Sequence, residues 1–153
     1  VVPGEANMEG TIRNLDETTR AAIPEFIEQI LEGMKISADI DYRMEYFKGY
    51  PVLNNWKVPA QIAAETVEQV LGKDALAANL EPDLTAEDFG RYLQVLPGCF
   101  CWLGCHEEGT ERFGLHSARF CPDERTLHVG SKLVAGLATN ALDALSKGVD
   151  FTK

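Results

Sequence analysis

One candidate for chemistry in this chain is a histidine in the segment FGLHSARF, residues 113–120. A neutral imidazole is a good ligand for zinc and for other divalent transition metals. Nothing near His116 in the sequence has the spacing that is typical of a metal site. The residues alone therefore leave two interpretations open: a metal ligand whose partners lie far away or outside the chain, and a solvated loop residue, which is the commoner case.

The cysteines form a second group of candidate residues. Cys99, Cys101 and Cys105 lie in the apolar run CFCWLGC, followed directly by His106, and Cys121 lies further on. These are zinc-ligand types, but C-x-C on a strand points both sulfurs to one face and cannot wrap a tetrahedral ion as a C-x2-C turn does. Cysteine also packs as a small hydrophobe. We therefore expect core packing rather than a metal site, with the thiols reduced.

Three charged residues complete the candidates. Glu87 and Asp88 are an adjacent acidic pair at a predicted helix start, where Asp88 caps the helix and Glu87 complements the helix dipole, or where a carboxylate lines a site. Arg13 ends a predicted strand on its polar face, and a guanidinium there suits bidentate recognition of a carboxylate. The residues alone favour the structural role for all three. His106 and His128 have no recognisable partners and are predicted to lie on the surface.

The elements that must position these residues begin with a predicted β-α-β segment. Apolar and polar residues alternate over residues 5–13 and again over residues 36–46, which predicts two half-buried strands in one sheet. Between them lies an amphipathic helix with Asp16 as its N-cap and an end near Gly33. Pro24 should either kink this helix or mark its first turn. The segment is half of a four-stranded ferredoxin-like sandwich, with the helix on the apolar face of the sheet.

The rest of the chain mixes helices with a buried strand, as in an α/β domain. The run CFCWLGC is predicted to be a strand buried on both faces. Residues 106–128 form a long polar loop, and such loops tend to carry function. A helix is predicted over 58–71 with Pro59 in its first turn, followed by a short strand near Leu76–Leu80. A capping box from Thr85 to Asp88 predicts a helix over about 85–94. The last predicted helix runs from Val129 to Leu145, and its core face is Leu133, Leu137, Ala141, Leu142 and Leu145.

Composition limits the classes of partner. The chain has 153 residues, 14 Lys and Arg against 24 Asp and Glu, and a formal charge of −10, which disfavours nucleic acid and anionic membranes as partners. No apolar run approaches the roughly 20 residues that span a bilayer. The opening residues VVPGEANMEG lack the features of a signal peptide and resemble the middle of a longer chain. Together with reduced cysteines, this predicts a cytoplasmic protein.

Four segments, in order, resemble the M20 family of metallopeptidases, in the amidohydrolase branch that includes hippurate hydrolase-like and N-acyl-amino-acid amidohydrolase enzymes. VVPGEANMEGTIRNLDETTR is similar to a segment of the family's lid domain, and YFKGYPVLNN to the return from the lid to the catalytic domain. LTAEDFGRYLQVLPGCFCWLG resembles the family's AEDF and PG segment, and GLHSARFCPDERTLHVGSKLVAGLA resembles the segment that closes the catalytic domain. The resemblance covers nearly the whole chain.

The resemblance implies an α/β enzyme of two domains, in which an α+β lid is inserted into the catalytic domain. Residues 1–48 would be the second half of the ferredoxin-like lid and dimerisation domain. Residues 49–153 would be the C-terminal part of the α/β catalytic domain. Departures from the family pattern are Pro24 inside the lid helix and SARF, where a proline is usual after the serine.

The resemblance also implies site residues and a cofactor. His116 matches a metal ligand, Arg13 matches a lid arginine that grips the substrate carboxylate, and Glu87 and Asp88 match acidic residues near the site. The implied cofactor is a pair of divalent metals, zinc in the first place with manganese or nickel as alternatives, which activate water for attack on an amide. The other ligands and the catalytic glutamate would lie outside this chain, so the chain by itself is expected to be inactive.

The predicted function is hydrolysis of the amide bond of N-acyl amino acids or small peptides with a free carboxylate. The predicted partners are that small-molecule substrate and a second copy bound through the lid, without nucleic acid or membrane. The alternative is a non-catalytic dimerisation or binding module in which the lid half pairs strand edges.

Overall fold

The computed structural model describes residues 3–77 and 80–152. Over these residues the fold is helical and contains no β-strand. The chain divides into two compact units: residues up to Leu53 with Glu81–Arg91, and Asn54 to Leu80 with the residues from Tyr92 onward. The elements are α1 (Glu17–Ala38), α2 (Lys57–Leu71), a 3-10 turn (Lys73–Ala75), α3 (Gly90–Leu93) and α4 (Arg125–Ser146). None of the described helices is long and apolar enough to cross a membrane.

Helix α1 begins where the sequence predicted. The Asp16 carboxylate accepts a hydrogen bond from the backbone N–H of Thr19 at 2.8 Å, which confirms Asp16 as the N-cap and lowers its pKa. The helix runs through Pro24 and continues past Gly33 to Ala38, so the predicted end was wrong. The residue that follows the helix, Asp39, adopts the left-handed conformation with a φ of 52°, which is typical at the end of a helix.

The two strands predicted in the first unit were wrong. Residues 5–13 have no regular structure, and the segment 36–46 begins inside α1 and continues as irregular chain. A strand is defined by hydrogen bonds to a neighbouring strand, and the described residues supply no such neighbour to either segment. The side chain of Ile36 is 84% exposed, so the predicted apolar face is not covered. The ferredoxin-like half-sandwich is therefore not confirmed.

A buried arginine connects α1 to a distant segment of the first unit. The Arg20 guanidinium donates to the Glu17 carboxylate and to the backbone carbonyl of Gly49, both at 3.0 Å. The other oxygen of Glu17 accepts the backbone N–H of Val52 at 2.6 Å. Arg20 is one of the few buried residues of the described chain. This network fixes the first turn of α1 against residues 49–52.

In the second unit, helices α2 and α4 pack on each other, and both sequence predictions for these helices are confirmed in type and approximate position. The buried residues of the two helices are Pro59, Ala63, Thr66 and Val67 in α2 and Leu133 in α4. Helix α4 begins at Arg125, four residues before the predicted start at Val129. Leu142 and Leu145 are exposed, so the predicted core face of α4 was wrong at its C-terminal end. The contacts of α4 with α2 include Gly136, which lies against Val70 and Thr66, and Asn140, which bonds to Thr66 and Gln69.

A hydrogen-bonded polar group lies inside the same interface. The Thr66 hydroxyl donates to the carbonyl of Ile62 at 2.7 Å and accepts from the Asn140 amide at 2.9 Å. The Asn140 amide also donates to Gln69 at 3.0 Å. Because both buried groups have partners, the interface avoids the cost of an unsatisfied polar atom.

Three further sequence predictions are corrected. The helix predicted over 85–94 is only the four residues of α3, and there is no capping box from Thr85, whose backbone N–H donates to Asp83 instead. The run CFCWLGC is extended chain without a partner strand in the described residues, and it is not buried on both faces. The strand predicted near Leu76–Leu80 falls partly on residues 78 and 79, outside the described residues, and the residues described on either side are irregular.

Candidate functional site

The candidate metal ligand His116 lies at the corner of two consecutive turns. The backbone N–H of Ser117 donates to the carbonyl of Gly114 at 2.9 Å, and the N–H of Phe120 donates to the carbonyl of Ser117 at 3.0 Å. His116 is exposed, and within the described residues its imidazole forms no hydrogen bond or ion pair. Both ring nitrogens are therefore accessible to a ligand.

The loop around His116 is held by two contacts of Arg119. The Arg119 guanidinium lies 4.0 Å from the centroid of the Phe113 ring and donates to the Glu111 carboxylate at 3.0 Å. A backbone hydrogen bond of 2.8 Å from Asp123 N–H to the Cys105 carbonyl closes the ends of the loop on each other. These contacts restrict the backbone that carries His116, although the long loop has no regular structure until α4 begins.

The described residues place no cluster of metal ligands around His116. No group of three or more His, Cys, Asp or Glu side chains within residues 3–77 and 80–152 lies in an arrangement that could hold a metal ion. A centre of two divalent metals needs several ligands of this kind.

The other three candidate residues lie in the first unit. The Arg13 guanidinium is exposed and donates to the carbonyl of Leu84 at 2.8 Å. This hydrogen bond brings Arg13 to the segment that carries Glu87 and Asp88. Glu87 is half-buried, and its carboxylate accepts the backbone N–H of Phe89 at 3.3 Å; Asp88 is exposed. Neither acidic residue opens a helix of the predicted length, so the capping interpretation of the pair fails.

The structure groups the candidates in a way that the sequence did not predict. Glu87 and Asp88 were predicted to belong to the catalytic part, but their segment belongs to the same unit as Arg13. His116 belongs to the second unit. The domain boundary predicted after residue 48 stays a prediction.

The cysteines differ from the expectation of core packing. All four are free thiols; Cys99 and Cys105 are half-buried, whereas Cys101 and Cys121 are exposed. The sulfurs of Cys99 and Cys101 lie 3.6 Å apart, which confirms that C-x-C places both on one face. Core packing was therefore wrong for Cys101.

Sequence reasoning also missed two residues that shape their surroundings. Arg20 follows Glu17 by three residues in the first turn of α1, which is a recognisable ion-pair spacing. Asn55 gives no such signal, because its amide bonds to Phe100, 45 positions later in the chain.

Comparison with known proteins identifies relatives over most of the chain. It is 32% identical over 145 residues to N-acetylcysteine deacetylase of Bacillus subtilis, covering 95% of this chain and 36% of that protein. It is 32% identical over 141 residues to thermostable carboxypeptidase 2 of Saccharolobus solfataricus, covering 90% of this chain and 35% of that protein. It is 30% identical over 138 residues to N-acetyldiaminopimelate deacetylase of Limosilactobacillus reuteri, covering 89% of this chain and 34% of that protein. No protein-family model and no solved structure matches.

These relatives are deacetylases and carboxypeptidases, enzymes that hydrolyse amide bonds. These relatives confirm the resemblance to the M20 family of metallopeptidases and amidohydrolases that was found in the motifs of the chain. It spans about a third of the length of the curated relatives it matches.

Proposed function

We propose that this chain is the C-terminal part of a metal-dependent amidohydrolase that hydrolyses the amide bond of N-acyl amino acids or small peptides with a free carboxylate. The observation that carries the proposal is the similarity to deacetylases and carboxypeptidases at 30–32% identity across 89–95% of the chain. Residues 1–48 are assigned to the second half of the lid, and residues 49–153 to the end of the catalytic domain.

His116 is the proposed metal ligand. Its position at the corner of two turns leaves the imidazole open, and a neutral imidazole suits zinc, with manganese or nickel as alternatives. When bound, a divalent metal polarises the scissile carbonyl and activates water. The contribution of this chain is to present one nitrogen donor on a loop held by Arg119.

Arg13 is the proposed anchor for the substrate carboxylate. A guanidinium has five N–H donors, and the hydrogen bond to the Leu84 carbonyl uses one of them. The exposed remainder can bind a carboxylate through two parallel hydrogen bonds. Glu87 and Asp88, on the segment that Arg13 contacts, are proposed to orient polar groups around that anchor.

The test of the metal role is His116→Ala in the full-length enzyme. We expect kcat/KM for an N-acyl amino acid to fall by more than about 100-fold, the upper end of what the loss of an indirect metal contact costs, together with a lower metal content measured by plasma mass spectrometry. The matched control is His128→Ala, because His128 is also an exposed histidine of the second unit. Unchanged turnover and metal content in His116→Ala would contradict the proposal.

A second candidate is a dimerisation or binding module without chemistry. It is favoured by one observation: Phe26, Ile30 and Met34 lie at four-residue spacing on α1 and are 44–63% exposed. This interpretation predicts that His116→Ala changes nothing, and that Ile30→Glu converts a dimer to a monomer in light scattering. The enzyme proposal also includes a homodimer through the lid, so the oligomeric state does not distinguish the enzyme from the non-catalytic module. The turnover of His116→Ala does distinguish them.

The proposed compartment is the cytoplasm. The four cysteines are free in the structure, and free thiols are typical of proteins kept in a reducing environment.

A further inference from the structure

We propose that Cys99 and Cys101 form a vicinal dithiol that binds a soft, thiophilic centre, such as a trivalent arsenical or Cd²⁺, through both sulfurs. This proposal is independent of the proposed function, because it involves neither His116 nor Arg13. It rests on the backbone that carries the two thiols, on the distance between the sulfurs, and on their access to solvent.

The backbone around the pair is fixed by Asn55. The Asn55 side-chain amide donates to the carbonyl of Phe100 at 2.9 Å, and its oxygen accepts the N–H of Phe100 at 2.8 Å. One side chain therefore satisfies both backbone groups of the residue between the two cysteines, as a neighbouring strand would. Phe100 is therefore held on both its N–H and its carbonyl, and the sulfurs of the cysteines before and after it lie on the same side, 3.6 Å apart.

The two aromatic residues that alternate with the cysteines in the sequence contact each other. The rings of Phe100 and Trp102 pack edge to face, with centroids 5.2 Å apart and an interplanar angle of 86°. Because these two residues alternate with Cys99 and Cys101, the rings take one face of the extended run and the thiols take the other. The dithiol face is therefore free of these rings.

The distance between the sulfurs matches the span of a chelate. The two Sγ atoms lie 3.6 Å apart. With metal–sulfur bonds of about 2.3 Å, this separation gives an S–metal–S angle of about 103°, close to the tetrahedral value. A disulfide would instead require the sulfurs to close to about 2.05 Å. The pair as it stands is therefore within the span of a single bridging atom.

The protonation states of Cys99 and Cys101 also favour binding of a thiophile. The hydrogen bond between the two thiols, which either sulfur could donate, lowers the pKa of Cys101 to about 7, and the same hydrogen bond together with burial raises the pKa of Cys99. Cys101 is also the exposed member of the pair. An incoming thiophile thus meets an accessible thiolate at neutral pH, and the second thiol gives up its proton as the second bond forms.

The reaction with an arsenical balances without an oxidant. Phenylarsine oxide and two thiols give a cyclic dithioarsinite and one water. Two As–S bonds form, two S–H bonds and the As–O bond break, and both protons leave with the oxygen. Two sulfurs held by one chain gain affinity over a single thiol by roughly 100-fold or more, because the second bond forms within the same molecule.

The test uses one equivalent of phenylarsine oxide on the intact chain under reducing-agent-free conditions, followed by alkylation and peptide mass spectrometry. We expect Cys99 and Cys101 to be protected together, while Cys105 and Cys121 are alkylated. An excess of a monothiol should leave the adduct in place, and a dithiol such as 2,3-dimercaptopropanol should remove it. Cd²⁺ should give a thiolate-to-metal charge-transfer band in the ultraviolet.

The variants Cys99→Ser and Cys101→Ser should each bind the arsenical at least about 100-fold more weakly, since each leaves a single thiol of the pair. Cys121→Ser, which removes an exposed cysteine elsewhere, is the matched control and should bind as the wild type does. Equal binding by Cys101→Ser and Cys121→Ser would overturn the proposal, and so would protection of any other pair of cysteines. The protection map on the unaltered chain tests the proposal even if a variant fails to fold.

Discussion

At the scale of single residues, Arg20 carries the clearest energetic consequence. Its side chain is 10% exposed and is shared between a carboxylate and a backbone carbonyl, whereas the pair formed by Arg43 and Glu45 lies in solvent. Removing a buried charge leaves its partners unsatisfied, but removing a solvated one does not.

Replacing Arg20 should destabilise the first unit. We expect Arg20→Met to cost about 1–3 kcal/mol of unfolding free energy, because the Gly49 carbonyl and the Glu17 carboxylate lose their donor. Hydrogen exchange of the α1 backbone amides, which report on this unit, is the measurement. Arg43→Met, the solvated control, should change exchange by no more than about 0.5 kcal/mol. Equal effects of the two substitutions would contradict the structural role of Arg20.

The same network predicts a pH dependence. The hydrogen bond from Val52 N–H, and then the contact with Arg20, lower the pKa of Glu17 below its ordinary value of 4.5. A group with a lowered folded pKa stabilises the fold above its unfolded pKa, and this contribution is lost as the pH falls through the folded value. The contribution of Glu17 to the protection of the α1 amides should therefore be constant from pH 7 to about 5 and should decline below about 4.5. Glu17→Gln should show a shallower decline; an identical profile would argue against the network.

At the scale of the elements, the closest approach of α2 and α4 depends on a glycine. A Cβ at Gly136 would lie 2.9 Å from a methyl carbon of Val70 and 3.1 Å from one of Thr66. Both neighbours are β-branched and stiff, so the helices would have to separate. At Gly130 of the same helix, the only near atom is the end of the Leu103 side chain, at 3.1 Å.

We expect Gly136→Ala to destabilise the second unit by about 1–3 kcal/mol, since overpacking outweighs the gain in helix propensity. Gly130→Ala should cost less or stabilise, because a leucine end can move. Trp56 and Trp102 both lie in this unit, so urea unfolding followed by tryptophan fluorescence measures both variants. A stabilised Gly136→Ala would show that the helices do not pack as closely as described.

At the scale of the whole molecule, the described residues contain no group of three or more potential metal ligands that could hold an ion. The chain also spans about a third of its curated relatives. Inactivity of the chain by itself stays a prediction.

The chain alone should bind no pair of Mn²⁺ ions and hydrolyse no N-acyl amino acid. Mn²⁺ is the suitable probe because it prefers oxygen ligands and should not bind the Cys99–Cys101 thiols. Isothermal titration and paramagnetic resonance measure the binding, and the full-length enzyme is the positive control. Two tightly bound Mn²⁺ ions per chain, or turnover by the chain alone, would contradict the assignment of the missing ligands to other polypeptide.

Much of the helical structure could be predicted because its causes are local. Asp16 caps α1 through a bond to a residue three positions away, and the apolar spacing of α2 and α4 identifies both helices. The strands could not be predicted reliably from alternation, because alternation describes a surface and not the partner that a strand needs. The exposure of Cys101 was missed for a similar reason: an apolar neighbourhood in sequence does not show what covers it.

The sequence by itself determined the family, the helices α2 and α4, the start of α1, and the placement of both sulfurs of C-x-C on one face. These follow from motif order, periodicity and the geometry of short segments. Only the tertiary structure decided that Arg20 bonds to Gly49, that Arg13 reaches Leu84, and that Asn55 holds Phe100 between two cysteines whose sulfurs lie 3.6 Å apart. The physical reason is that each of these contacts joins residues 29 to 71 positions apart, or fixes a distance between side chains that depends on such a contact.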